Sequence, residues 1–209
     1  QLFLYYAEKA LNEGYGIVKN EYYIAPIYNL MIEDGLNIKY NETEKMHVLG
    51  TPKTFEFFCD KITPRFGDKP IALSCDHSGF DTIQTLKKVL ERHDVEYIDV
   101  GTYTKKSCDY YDYISQSLQL IQQKKCDFGM SSCVSGQGMN ISANKADGII
   151  SAWVLDGWTA EMARRHNCAN HYSLPGKYVD ENKLEDIVTS LQNATFDGGR
   201  HFTRIDKII

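Results

Sequence analysis

The chain has 209 residues, 43% of them hydrophobic, which is enough for one large domain or for a domain and part of another. Its formal net charge of -5 argues against general nucleic-acid binding, which needs a basic surface to neutralise phosphates. No apolar run approaches the roughly 20 residues of a membrane-spanning helix, and Glu8 and Lys9 interrupt any signal-peptide core.

Cysteine usage points the same way. Cys59, Cys75, Cys108, Cys126, Cys133 and Cys168 form neither a CxxC pair nor a tight framework. Reduced thiols in a cytoplasmic protein are therefore expected, with no nucleic acid and no membrane among the partners.

Residues 1–62 read as a small α+β segment. "FLYYAEKALNEG" and "NEYYIAPIYNLMIEDG" have helical composition, the second stopped by Gly35 in the position favoured just past a helix. "LNIKYNETEKMHVLGTP" suggests one or two strands and a turn, and "KTFEFFCDKI" a last helix. "TPRFGDKP" then packs two prolines and a glycine into eight residues, a linker composition. The expected division is 1–62, a linker at 63–69, and a second domain at 70–209.

From residue 70 the pattern alternates. "PIALSC" suits a buried strand, and the next stretch has Phe80, Ile83, Leu86, Val89 and Leu90 at helical spacing. Strand "VEYIDVG" precedes helix "YYDYISQSLQLIQQKK"; strand "DFGMSS" precedes a glycine loop and the short helix "MNISANK". Strand "GIISAWV", helix "GWTAEMARRHN", strand "ANHYSLPG" and helix "ENKLEDIVTSLQN" complete the run. This repetition predicts an α/β fold, a doubly wound parallel five-stranded sheet of Rossmann-like type with helices on both faces. Ligands in such sheets bind outside the carboxyl ends of the strands. Asp76 and His77 follow one strand end, and Cys133 follows another.

Cys133 faces the loop Ser135-Gly136-Gln137-Gly138, which opens a helix. A helix amino terminus favours thiolate over thiol, and a thiolate can act as base or nucleophile. The other five cysteines lack this setting in the sequence. Amides of the loop can stabilise an oxyanion. A dinucleotide fingerprint needs a third glycine where Ile141 stands, so no nicotinamide cofactor is expected.

Near the end, Arg200 and Arg204 are four apart, sharing one face of a helix with His201 beside them, a pair suited to a phosphate. His166 closes a predicted helix, where the dipole favours a charged imidazole. No His-x-x-His, Cys-x-x-Cys or carboxylate cluster has ligand spacing, so no metal is expected. Tyr110 by itself reads as packing.

Two resemblances join these residues. "NEYYIAPIYNLMIEDG" and "MHVLGTPKTFEFF" resemble the carboxyl-terminal end of sugar-phosphate nucleotidyltransferases over about the first 60 residues. The glycine-rich nucleotide loop of that family is absent here. Val48 stands where relatives carry an acidic metal ligand, so the segment is not expected to transfer a nucleotide itself. A fusion of two enzymes in one longer polypeptide is the expectation.

"CDHSGF", "DYYDY", "CVSGQGMNISANK", "ARRHNCAN" and "GGRHFTRIDKI" are similar, in order and spacing, to the ribose-5-phosphate isomerase B family, which includes galactose-6-phosphate isomerase subunits. The resemblance implies a cofactor-free, metal-independent aldose–ketose isomerase acting on a sugar phosphate. Cys133 would be the base that moves a proton between C1 and C2, and Met139 stands where other relatives use a glutamate. Ser135 and the amides of Gly136, Gln137 and Gly138 would hold the enediolate oxygen. Asp76, His77, Tyr110 and Asn167 would contact the sugar, His166 would assist ring opening, and Arg200, Arg204 and Lys177 would bind phosphate. The family also implies a homodimer, or a dimer of dimers, with sites shared between subunits. Tyr111, Cys168 and Lys177 replace the family's usual proline, acid and phosphate-binding basic residue. They keep open an alternative, a non-catalytic module that binds a sugar phosphate, dimerises and regulates the attached transferase. Against it stands the retention of Cys133, Ser135, His166 and both arginines.

Overall fold

A computed structural model describes residues 2–19, 21–39 and 57–208. The chain divides into two compact units, residues 1–44 and 45–209. In the first, helix α1 (Leu2–Glu13) packs on α2 (Ala25–Glu33) through Tyr6, Ala10, Ile27, Leu30 and Met31. Between them the two-residue strands β1 (Ile17–Val18) and β2 (Glu21–Tyr22) pair antiparallel. The helix expected from residue 20 therefore starts only at Ala25. Glu21 and Tyr22 are held by the hairpin, and Pro26 occupies the first helical turn, where its missing N–H costs nothing. Gly35 takes the expected left-handed conformation, with φ +82°. Residues 36–39 are not strand. The rest of the strand-and-turn expectation, Val48 and most of "KTFEFF" lie outside the described residues.

The second unit holds the predicted sheet. A π-helical turn, Phe58–Ile62, leads through residues 63–70 into β3 (Ile71–Cys75). Then follow α3 (Phe80–Arg92), β4 (Tyr97–Asp99), α4 (Tyr110–Gln122), β5 (Gly129–Cys133) and α5 (Gln137–Ala143). The chain ends with β6 (Ser151–Trp153), α6 (Gly157–Asn167), β7 (His171–Pro175), α7 (Glu181–Asn193) and α8 (Arg200–Ile205). The strands lie in the order β4-β3-β5-β7-β6, and every neighbouring pair is parallel.

Both faces are covered, so all residues of β3, β5 and β7 are buried. On one face Ile83, Leu86, Val89 and Leu90 of α3 join Ala160 and Ala163 of α6 and Leu184, Ile187, Val188 and Leu191 of α7. On the other, Ile114, Leu118 and Ile121 of α4 and Met139 and Ala143 of α5 pack with Ala72 and Cys133. Capping sets where several helices begin. The Asp156 carboxylate accepts the Thr159 amide at 2.8 Å, and Asp180 accepts that of Lys183 at 3.0 Å.

One core side chain is a cation. Arg164 of α6 is buried over the Phe128 ring, 4.9 Å from its centroid. Its guanidinium donates to the carbonyls of Lys61 (2.8 Å), Pro64 (3.0 Å) and Ala169 (3.4 Å). No carboxylate pairs with it among the described residues, so carbonyls of the segment before β3 satisfy the charge.

Candidate active site

At the carboxyl end of the sheet, β3 and β5 deliver the first group of residues. Cys133 is the last residue of β5 and is 95% buried, its relative exposure being 5%. The helix after it starts at Gln137, two residues earlier than the sequence suggests, so Gly138 lies in its first turn. First-turn amides have no partner within a helix; that of Gln137 donates to Ser135 Oγ at 3.3 Å. Gly136 has φ +73°, a conformation that favours glycine. A Cβ on Gly138 would come within 2.9 Å of the Tyr110 ring, so the tyrosine lies directly on the loop.

Asp76 organises the neighbouring turn. Its Oδ1 accepts from the Ser78 amide (2.9 Å), the Ser78 hydroxyl (2.6 Å) and the Gly79 amide (2.9 Å). Ser78 Oγ in turn accepts the Val134 amide at 3.1 Å, tying this turn to the residue after Cys133. His77 Nδ1 accepts the Cys108 amide at 3.3 Å, which leaves the ring proton on Nε2. The Lys177 amide donates to the Val134 carbonyl at 3.2 Å, so this lysine belongs to the same end.

The remaining candidates lie elsewhere. In a parallel sheet each helix runs back from the carboxyl end of one strand to the amino end of the next. Helix α6 therefore places His166 and Asn167 at the far end from Cys133. Its 11 residues rise by about 16 Å. There the His166 and His201 rings stack with centroids 4.2 Å apart and planes 6° apart. Asp197 Oδ2 is 3.8 Å from His166 Nε2 and 3.2 Å from the Arg165 guanidinium. Arg200 and Arg204 are exposed on α8, as the four-residue spacing requires of one face. Burial, and then the charges of His166, Arg200 and Arg204, push the His201 pKa down.

This gathering was not foreseen. His166, Asp197 and His201 bring one ligand atom each within 4.8 Å, so a potential metal-binding group exists although no spacing motif announces it. The parallel rings aim their nitrogen lone pairs side by side rather than at one point, and arginines crowd the cluster. Its chemistry suits an anion better than a cation.

Two further points escaped the sequence. Cys108 stands directly before Asp109, the N-cap of α4, with its sulfur 3.9 Å from His77 Nδ1, so Cys133 is not alone in preceding a helix start. Ser78 carried no signal beyond standing in "DHSG". Burial pushes the Cys75 thiol up to about 12 and that of Cys126 up to about 11, and it also raises Cys168. Those three remain protonated near neutral pH.

Residues 71–208 match the family model described as Ribose/Galactose Isomerase. The chain belongs to this family. It is 33% identical over 140 residues to ribose-5-phosphate isomerase B of Escherichia coli, covering 67% of this chain and 94% of that protein. It is 37% identical over 141 residues to a probable ribose-5-phosphate isomerase B of Mycoplasma pneumoniae, covering 67% and 93%. The crystal structure of a ribose 5-phosphate isomerase from Thermotoga maritima superposes with a TM-score of 0.65 at 39% identity, over 68% of this chain and 97% of that one. Membership makes the protein an aldose–ketose sugar-phosphate isomerase.

Proposed function

We propose that the protein interconverts ribose 5-phosphate and ribulose 5-phosphate, or a closely similar pair, through an enediolate and without a metal. Cys133 takes a proton from C2 of the open-chain aldose and returns it to C1, while the hydroxyl proton of O2 passes to O1. The amides of Gly136, Gln137 and Gly138, with Ser135, hold the oxygen on which charge develops. Asp76, His77 and Tyr110 hold the sugar, which the proximity of their turn and ring to the loop supports. The observation carrying the reading is the Asp76–Ser78–Val134 connection, which fixes two strand ends around one thiol.

His166 opens the ring, Asn167 contacts the sugar, and Arg200 and Arg204 take the phosphate with help from Lys177. Since α6 separates His166, Asn167, Arg200 and Arg204 from Cys133 within a chain, whereas Lys177 lies at the Cys133 end, the active species is a homodimer, or a dimer of dimers, in which those four come from the partner. The six unpaired thiols suit a reducing compartment such as the cytoplasm. None of the described helices is long and apolar enough to cross a membrane. A fusion to a sugar nucleotidyltransferase rests on the sequence resemblance of residues 1–62.

The test is solvent-deuterium uptake at C1 or C2, followed by NMR across pentose and hexose phosphates. Uptake with ribose 5-phosphate supports the substrate assignment. No uptake with any sugar phosphate overturns the reaction and leaves a binding module.

A further inference from the structure

Two side chains outside the proposed chemistry hold consecutive carbonyls of the Cys133 loop. The Trp153 indole Nε1 donates to the Ser135 carbonyl at 2.9 Å, and the Ser173 hydroxyl donates to the Gly136 carbonyl at 2.5 Å. Trp153 ends the edge strand β6, and Ser173 is its register partner on β7. Ser173 is fully buried. The loop also packs tightly here: a Cβ on Gly136 would lie 3.0 Å from Trp153 Cδ1 and 3.0 Å from the Pro175 nitrogen.

We infer that Trp153 and Ser173 are positioning residues that set which way the loop's amides point. The chain has no cis peptide bonds among the described residues. In a planar trans peptide the C=O and the following N–H point in opposite directions. Drawing the Ser135 and Gly136 carbonyls onto the β6–β7 edge therefore turns the Gly136 and Gln137 amides away from it. Those are two of the three amides assigned above to the enediolate oxygen. The Gly136 carbonyl also accepts the Asn140 amide of α5 at 3.0 Å, so the helix shares that hold, whereas the Trp153 indole fixes the Ser135 carbonyl. Without the two donors, the Ser135–Gly136 unit could rotate and present its carbonyl oxygen to a developing negative charge, and the Gly136–Gln137 unit would rest on the Asn140 bond alone. The inference rests on the isomerase reading for its catalytic consequence, but its structural content can be measured without any substrate.

Trp153→Phe keeps an aromatic ring and removes one donor; Ser173→Ala removes the other, and Ser173→Thr restores a hydroxyl. With ribose 5-phosphate, each loss should lower kcat by about 3- to 10-fold, the worth of one hydrogen bond, with KM within about twofold. Ser173→Thr should recover most of kcat. Independently, amide hydrogen exchange of residues 135–138 should quicken in Trp153→Phe and Ser173→Ala while the rest of β6 and β7 stays protected. Unchanged exchange at the loop in both variants overturns the inference. So does exchange raised throughout the sheet edge, since the residues would then be core packing only. If the wild-type protein turns over no sugar phosphate, the isomerase reading fails alone, and the exchange measurement still decides the clamp.

Discussion

Mixing Cys133→Ala chains with Arg204→Ala chains separates a shared site from one built within a single chain. Helix α6 carries the backbone from the Cys133 end of the sheet to the His166 end over 11 residues, about 16 Å, further than a five-carbon sugar phosphate extends. In a two-fold dimer, each site would then take Cys133 from one chain and Arg204 from the other. Random pairing makes half the dimers mixed, and each mixed dimer has one site with both residues and one with neither. Activity at low substrate should therefore recover to about a quarter of wild type, from parents that are each far weaker. Native mass spectrometry would establish the mixed species after subunit exchange, and ribulose 5-phosphate formation would report turnover. Mixed dimers at the expected half, with no activity above the parents, would refute the argument.

Three further outcomes are expected. Cys133→Ser should lower kcat by about 100-fold or more with KM little changed, because a positioned base is lost while the phosphate grip remains; near-normal proton exchange in this variant would make the thiol a core residue. Activity should survive exhaustive chelation, since every step assigned above uses only protein donors and acceptors; loss reversed by a divalent ion would redirect attention to His166, Asp197 and His201. His171, fully buried, has its pKa lowered to about 3 by burial. The unfolded chain thus binds a proton near 6.5 that the folded chain refuses, and stability should fall as pH drops from 6.5 towards 3. Between pH 7 and pH 5 this group contributes a loss of about 2 kcal/mol. Urea unfolding of the wild type and of His171→Asn should differ in that slope; parallel profiles would count against it.

Much of the fold was legible because local signals agreed with the global pattern. "GWTAEMARRHN" and "ENKLEDIVTSLQN" match α6 and α7 residue for residue, each preceded by an aspartate that caps it. The start of α5 was misread because Gly138 is a poor helix former and draws Gln137, itself a good one, into an apparent glycine loop; the left-handed Gly136 starts the helix before both. The candidate site was legible where chemistry clusters along the chain, as in "CDHSG" and "CVSGQG". It was illegible where distant segments meet. His166 and His201 are brought face to face by the return of α8 against α6, and Trp153 of the edge strand reaches Ser135 although β7 lies between β6 and β5. Buried Arg164 gives no sequence sign of its carbonyl partners.

Those partners bear on how the isomerase part can be isolated from its upstream sequence. The family match starts at residue 71, which invites a cut just before β3. Such a cut would remove the Lys61 and Pro64 carbonyls and leave the guanidinium only the longer contact to the Ala169 carbonyl and the Phe128 ring. An interior charge that loses its hydrogen-bond partners is destabilising, by about 1–3 kcal/mol for each charged hydrogen bond lost. A fragment beginning at 71 should express poorly or melt early, while one that keeps residues 57–70 should behave as the whole second unit does. The segment before β3 is therefore part of the hydrogen-bond shell of a core cation as well as a connection.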